Sequence, residues 1–468
     1  MTTSHRFHLI GIGGAGMSVV AELLKDRGLE VSGSDQKDSP VLDHLRSVGV
    51  KVFVGHDASH VPAGSVVVVS TAVRETNPEL AYARKEGLRV IHRSQALALA
   101  ASGMRFVAVA GAHGKTTTSG MLSMALRQAG ADPSIAVGSV IPELGSGAHL
   151  GSGDIFVAEA DESDGSFLNY TPWIEIVTNV EPDHLDRYGS REAFEQVFVD
   201  FVGCLREGGT LVCCGEDAGS ARLARYAKGR GIDTVTYGRE GQESPELGAP
   251  CDVVIKDATT DGHVASAQVL WNAETVEINL RVPGLHNIVN AVAAWIAGVR
   301  LGIEARLMAS SLTAFSGTSR RFEFKGESDG RRLFDDYAHH PTEVAAAITQ
   351  ARSAAGNGEV SVVFQPHLYS RTQSFAGRFA DALSHADHVY VCDIYGARED
   401  PVPGVDSTLI TSHLPKARYV PDMHEAARLA AREVSEGGIL LTMGAGSITQ
   451  CDQDVLDEWE HDGAGSAQ

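Results

Sequence analysis

The chain has 468 residues, room for about three domains that each bury a core of their own. Its 60 acidic residues outnumber the 39 basic ones and give a formal charge of -21, which excludes a nucleic-acid track and an anionic membrane surface as partners, so anionic ligands must be met by local donors. Cys204, Cys213, Cys214, Cys251, Cys392 and Cys451 form no CxxC pair, which excludes a zinc knuckle or a disulfide framework. No apolar run nears the roughly 20 residues that span a bilayer, and a soluble, cytoplasmic protein is expected, a monomer or weak dimer.

Residues 1–103 open with an apolar strand from Phe7 to Ile10, the turn Gly11-Ile12-Gly13-Gly14-Ala15-Gly16-Met17 and a helix, and a second strand ends at Asp35. Glycines that allow a pyrophosphate to approach the backbone, followed about 20 positions on by an acid suited to a ribose hydroxyl, predict a Rossmann-like unit. Gly11, Gly13, Gly14, Gly16, Met17 and Asp35 are the candidate ligand residues. Composition does not separate NAD from a nucleotide-sugar diphosphate here.

Residues 104–317 begin with the run Val107 to Thr118, an apolar strand, a tight turn Gly111-Ala112-His113-Gly114 and a helix start Lys115-Thr116-Thr117. Unpaired N–H groups at a helix start attract phosphate oxygens; Lys115 would reach the outer phosphates and the Thr116 hydroxyl a magnesium ion, so the segment predicts ATP binding. The residue five before Gly114 is Val109, so the loop is shorter than GxxxxGK[ST] and a motor or GTPase is disfavoured. Further strands lead into Glu159-Ala160-Asp161-Glu162-Ser163-Asp164 and Glu181-Pro182-Asp183-His184-Leu185-Asp186, polar clusters at strand ends where an open parallel sheet binds ligands. Glu159 and His184 are the candidate magnesium groups. Short alternating strands between Cys251 and Arg281 predict an antiparallel layer added to the main sheet, and at the helix start after Pro283 the candidates for adenine are His286 and Asn287, which can equally serve as caps.

Residues 318–468 open at a small-residue hinge, Ser316 to Ser319, followed by the pair Arg320-Arg321. Strands at Leu333 to Asp336, Val360 to Phe364, His388 to Asp393 and Ile439 to Met443 alternate with helices, notably Pro341 to Ala355, and predict a second Rossmann-like domain. The Gly- and Ala-rich tail from His461 is expected to be disordered. No nucleophile-elbow context surrounds any Ser or Cys.

GIGGAGM at 11–17, GAHGKTTT at 111–118, AEADESDGSFL at 158–168, TNVEPDHLD at 178–186, GLHNIVNA at 284–291, SRRFE at 319–323, DDYAHHPTE at 335–343 and FQPHLYSRT at 364–372, in this order, resemble the Mur ligase family over essentially the whole chain. The resemblance implies a three-domain α/β protein: a UDP-sugar-binding domain at 1–103, a central phosphate-loop ATPase-type parallel sheet at 104–317 and a C-terminal domain at 318–468 that closes over ATP and seats the amino acid. It implies amide formation between L-alanine and UDP-N-acetylmuramate, with ATP and Mg2+, in peptidoglycan precursor synthesis. It also implies that the first glycine loop takes a UDP-sugar pyrophosphate in place of NAD. Lys115 and Thr116 match the family's phosphate and magnesium positions, Glu159 and His184 its metal site, and His286, Asn287, Arg321 and Asp336 its ATP side. His339 and Arg371 fall where the family contacts the forming amide and the amino acid, which makes Lys115, His184, His339 and Arg371 the expected catalytic set.

Two departures stand out. Leu368 replaces the arginine that some members carry before the aromatic residue of the QPH motif, and the helix around Phe194 to Phe201 has no lysine to be carbamylated. The alternatives are a murein peptide ligase of cell-wall recycling within the family and, outside it, an NAD-binding oxidoreductase with an accessory nucleotide domain.

Overall fold

Alternation of apolar runs with amphipathic helices produces three mostly parallel sheets in the computed structural model, which describes residues 6–182, 185–397 and 399–465. Contacts group the chain into two units: residues 1–257, 267–279 and 289–316 form the first, and residues 258–266, 280–288 and 317–468 the second.

The first sheet holds β1 (Arg6–Ile10), β2 (Glu30–Asp35), β3 (Lys51–Val54), β4 (Val66–Val69) and β5 (Val90–His92) in the order β3-β2-β1-β4-β5, every pair parallel. The order reverses between β1 and β4, so a crevice opens at their carboxyl ends, where the glycine turn lies. The helix Ala15–Asp26 starts from Gly14, and it buries Val20, Ala21, Leu23 and Leu24 against the sheet.

The second sheet has ten strands: β6 (Arg105–Ala110), β7 (Ser134–Ile141), β8 (Ser146–His149), β9 (Ile155–Glu159), β10 (Ile174–Val177), β11 (Thr210–Cys214), β12 (Asp233–Arg239), β13 (Val253–Thr260), β14 (Ala265–Trp271) and β15 (Glu274–Leu280). Their order is β15-β14-β13-β12-β11-β10-β6-β9-β7-β8. Near-continuous apolar runs such as Phe106 to Ala110 suit strands covered on both faces, and β6 sits between β9 and β10 with both pairings parallel. The strands expected after Cys251 are added at one edge of this sheet. β13 pairs parallel with β12 and covers its backbone edge, and β14 and β15 follow β13 in the order of the same sheet. On the opposite edge β7 and β8 form an antiparallel pair that sequence patterning had not marked.

The third sheet comprises β16 (Glu323–Ser328), β17 (Arg331–Asp336), β18 (Val360–Phe364), β19 (His388–Val391), β20 (Arg418–Tyr419) and β21 (Ile439–Met443) in the order β16-β17-β21-β18-β19-β20. Only β16 runs antiparallel to its neighbour. Successive residues point to opposite faces: Phe334, Val362 and Leu441 join one apolar cluster, Leu333, Val363 and Leu440 the other, which is the double covering expected of this segment. The helix Pro341–Ala355 has the expected bounds, fixed by Pro341 at its first position and a capping box between His340 and Glu343. The last helix, Asp452–Gly465, runs through most of the tail that was expected to be irregular; Val455 and Trp459, both buried, anchor its first turns, and the helix carries the small residues after them. Among the described residues no helix is long and apolar enough to cross a membrane, and all six cysteines are free thiols.

Candidate active site

The turn between β6 and the helix Lys115–Gln128 is shaped by two glycines. Gly111 has φ +133°, and a Cβ there would lie 2.1 Å from Thr178 Oγ1 and 3.0 Å from Asn179 N; Gly114, with φ +82°, begins the helix beside Asn290. The carboxyl end of β10 braces the turn from the side. Thr178 Oγ1 and Asn179 Nδ2 donate to the His113 carbonyl at 2.6 and 2.9 Å, and His113 N donates to Asn179 Oδ1 at 3.2 Å. The His113 carbonyl is thereby tied back, and the N–H groups of Lys115, Thr116 and Thr117, at the helix start, are of the kind that attracts an anion. Gly111, Ala112, His113 and Gly114 thus form the tight turn between strand and helix that the spacing predicted.

Lys115 Nζ donates to the carbonyls of Gly111 and Ala112, and its ion pair with Glu162 closes to 2.8 Å. Burial works against the ammonium, but Glu162, Asp161 and Glu159 outweigh it and raise the Lys115 pKa, so the side chain stays charged. Glu159 ends β9 directly opposite Val109 of β6, and its Oε1 accepts from Gly138 N at 2.9 Å. Thr116 is buried in the first turn of the helix. Hard oxygen donors on Thr116 and Glu159, at the ends of adjacent elements, are the chemistry magnesium takes. His184 lies outside the described residues.

At the first glycine turn Gly11 has φ +76° and its N–H donates to Ser34 O at 2.8 Å, while Gly13 N donates to Asp35 Oδ2 at 2.9 Å. Asp35 therefore fixes the turn with one oxygen. Met17 is buried below it, and a Cβ on Gly16 would come within 2.6 Å of Arg93 Nη1. Arg93, at the start of the helix Arg93–Ala100, reaches Asp161 Oδ2 at 2.6 Å. Burial alone would raise the Asp161 carboxyl, but Arg93 and Lys115 outweigh it and hold it at about 2.

The second unit gathers another set. Asp336, at the end of β17, accepts from Phe322 N and Ala338 N at 2.7 Å each, and burial pushes its carboxyl up to about 6 against the opposing pull of Arg321. Arg321 lies 3.3 Å from Glu343 Oε1 and over the Tyr337 ring. His339 Nδ1 donates to Tyr337 O at 2.9 Å, and its ring meets that of His367 edge-on at 5.8 Å; Arg371, buried, donates to His367 Nδ1 at 3.1 Å. Leu368 begins the helix Tyr369–Leu383 with φ +71° and is itself buried, so it fills the place of the missing arginine with packing. Asn287 Nδ2 donates to Pro283 O at 2.6 Å, and the His286 ring lies against Gly284.

Sequence reasoning passed over Arg93, Thr178, Asn179, Asn290 and the pairing role of Glu162. Their signal was present: all but Asn290 are polar residues at or just after the carboxyl ends of β5, β9 and β10, where an open sheet presents ligands.

Three stretches of the chain match models of known domains. Residues 6–105 match the family described as Mur ligase family, catalytic domain; residues 109–298 match the Mur ligase middle domain; residues 320–446 match the Mur ligase, glutamate ligase domain. A UDP-N-acetylmuramate–L-alanine ligase of Renibacterium salmoninarum is 49% identical over 97% of this chain and 95% of its own length, and one of Kineococcus radiotolerans is 51% identical over 96% and 95%. Among solved structures, the UDP-N-acetylmuramate-alanine ligase of Thermotoga maritima aligns with a TM-score of 0.80 at 27% identity, over 98% of this chain and 99% of its own. A murein peptide ligase of Psychrobacter arcticus aligns at 0.74 and 25% identity, over 97% and 98%.

Proposed function

The chain belongs to the Mur ligase family, and from that premise we propose that it is an ATP-dependent ligase that joins L-alanine to the lactyl carboxylate of UDP-N-acetylmuramate, forming ADP and phosphate, in peptidoglycan precursor synthesis. The observation that carries this reading is near-50% identity, across almost the entire chain, to relatives that bear that activity in their name. Matches to all three family domains set aside the NAD oxidoreductase.

A carboxylate does not acylate an amine at neutral pH because its oxygen is a poor leaving group. In the proposed sequence a lactyl carboxylate oxygen attacks the γ-phosphorus of ATP, the bond to ADP breaks, and an acyl phosphate forms. The neutral amine of L-alanine then adds to the acyl carbon, loses a proton, and phosphate departs with the former carboxylate oxygen. Charge on the transferring phosphoryl group is met by Lys115 and by the helix-start N–H groups after Gly114. Thr116 and Glu159, with His184 as the third assigned group, would hold magnesium, which when bound neutralises charge on the triphosphate.

We assign the UDP-sugar to residues 1–103, with Gly11, Gly13, Gly14, Gly16, Met17 and Asp35 around its diphosphate and ribose. ATP is assigned to residues 104–317 with Arg321 and Asp336, and the amino acid to residues 318–468. His339 and Arg371, linked through His367, are the groups assigned to the amino-acid carboxylate and the forming amide. His286 and Asn287 are the assigned adenine contacts; since the Asn287 amide already caps Pro283 O, that contact requires the amide to exchange partners or to offer its oxygen.

The test is ADP production with ATP and magnesium while UDP-N-acetylmuramate and L-alanine are each omitted in turn. The reading requires turnover only with both. Preference for a tripeptide over L-alanine would move the assignment to the murein peptide ligase.

A further inference from the structure

Lys115 occupies its own loop. An ammonium has three N–H donors, and here they are spent on Gly111 O, Ala112 O and the Glu162 carboxylate, whose two oxygens lie at 3.0 and 2.8 Å. Two of those acceptors belong to the very turn that would surround a phosphate. A lysine in this position cannot give a donor to an outer phosphate without surrendering one of these contacts, and the charged contact with Glu162 is the strongest of them.

The backbone of Glu162, in contrast, is held without help from the lysine. Its side chain is 1% exposed, and its carbonyl accepts from the Tyr188 hydroxyl and from Gly165 N at 3.1 Å. The residue before it is fixed by Arg93 at 2.6 Å and by Ser163 N at 3.0 Å; two residues on, Asp164 accepts from Ser166 N at 2.9 Å. Glu162 thus sits, buried, on a turn whose bonds do not involve the lysine, whereas Lys115 reaches it through a four-carbon stem.

We propose that Glu162 is a positioning residue that parks Lys115 over the phosphate loop and that a nucleoside triphosphate must take the lysine from it on binding. The inference rests on the assignment of ATP to this loop. Part of the attraction between Lys115 and the outer phosphates is spent on breaking the internal pair, so affinity for triphosphate is lower than the loop alone would give. The parked cation also keeps the buried Glu162 charge compensated while no nucleotide is present.

Titration calorimetry of the full chain with magnesium, using ATP and AMP in turn, tests this. Glu162→Gln keeps the shape and one acceptor oxygen but removes the charge. It is expected to bind ATP about tenfold more tightly than the wild type and AMP equally well, since AMP lacks the outer phosphates. In turnover the KM for ATP falls and the KM for L-alanine stays. A purely structural Glu162 would lower thermal stability and leave the ratio of ATP to AMP affinity unmoved, and that result overturns the proposal, as does weaker ATP binding. Should Glu162→Gln not fold, Glu162→Asp, with its carboxylate drawn back by one methylene, is expected to tighten ATP binding in the same sense; unchanged affinity there overturns the proposal. A wild-type chain that binds no ATP at all overturns the assignment of ATP to this loop and the proposal with it, whereas ATP binding indifferent to both variants removes the proposal alone.

Discussion

Replacing Gly111 by alanine tests whether the turn after β6 is shaped for a phosphate chain. The new Cβ would lie 2.1 Å from Thr178 Oγ1, whereas ordinary contact begins at 3.4 Å, a shortfall of 3.4 - 2.1 = 1.3 Å. Thr178 cannot simply turn away, because its hydroxyl holds Ala110 O at 3.2 Å and His113 O at 2.6 Å. Nor can the backbone relax freely, since φ +133° is a region that side chains avoid. Overpacking of this kind costs roughly 1–3 kcal/mol and a non-glycine residue in such a region a similar amount, so the loop is destabilised by about 2–6 kcal/mol. The strain is confined to the turn, so the loss falls on nucleotide use more than on folding: kcat/KM for ATP is expected to drop by about 100-fold or more. Gly130→Ala is the control. Gly130 has φ +83° with open space around the added carbon, so it isolates backbone strain from collision and should lower the melting temperature slightly with unchanged kinetics. Steady-state kinetics with varied ATP, alongside thermal denaturation, read both effects. Wild-type kcat/KM for ATP in Gly111→Ala would refute the reasoning.

Lys115→Ala removes the donor assigned to the transferring phosphoryl group, and a rise in the barrier on the order of 3 kcal/mol, about 100-fold in kcat, is expected; undiminished turnover by a folded variant would remove Lys115 from the mechanism. Asp336 carries a pH signature, because its pKa of about 6 in the fold exceeds the ordinary 3.8. A raised acid favours folding while protonated. Its contribution is complete below about pH 3.8 and is lost as pH climbs through 6, a difference of about 3 kcal/mol that urea unfolding at a series of pH values should show and Asp336→Asn should flatten. Glu175, fully buried on β10, has no hydrogen-bond partner at either oxygen among the described residues, and burial holds its pKa well above the usual range. Glu175→Gln should therefore raise the melting temperature at pH 8 more than at pH 5, and an equal change at both would contradict a neutral buried acid.

Local signals in the sequence were the most legible. The strand-turn-helix run around Gly111 and Lys115 and the glycine turn at Gly11 to Gly16 are contiguous, so spacing alone located them, and Pro341 together with the His340 and Glu343 pairing marked a helix start to the residue. What remained hidden depends on which strands become neighbours. Thr178 and Asn179 brace the phosphate turn only because β10 lies beside β6, and Arg93 meets Asp161 across 68 positions of chain. Periodicity carries no information about such pairings. The alternating strands after Cys251 were legible as strands, but their place at one edge of the sheet depends on the pairing of β13 with β12. At Asn287 local competition won: a short amide side chain at a helix start satisfies the nearest carbonyl.

The central claim is that ATP activates the lactyl carboxylate as an acyl phosphate. UDP-N-acetylmuramate labelled with oxygen-18 in both carboxylate oxygens, turned over with ATP and L-alanine, tests it through the mass of the released phosphate. The account predicts one labelled oxygen in each phosphate and one retained in the new amide. Unlabelled phosphate accompanying amide formation would contradict it.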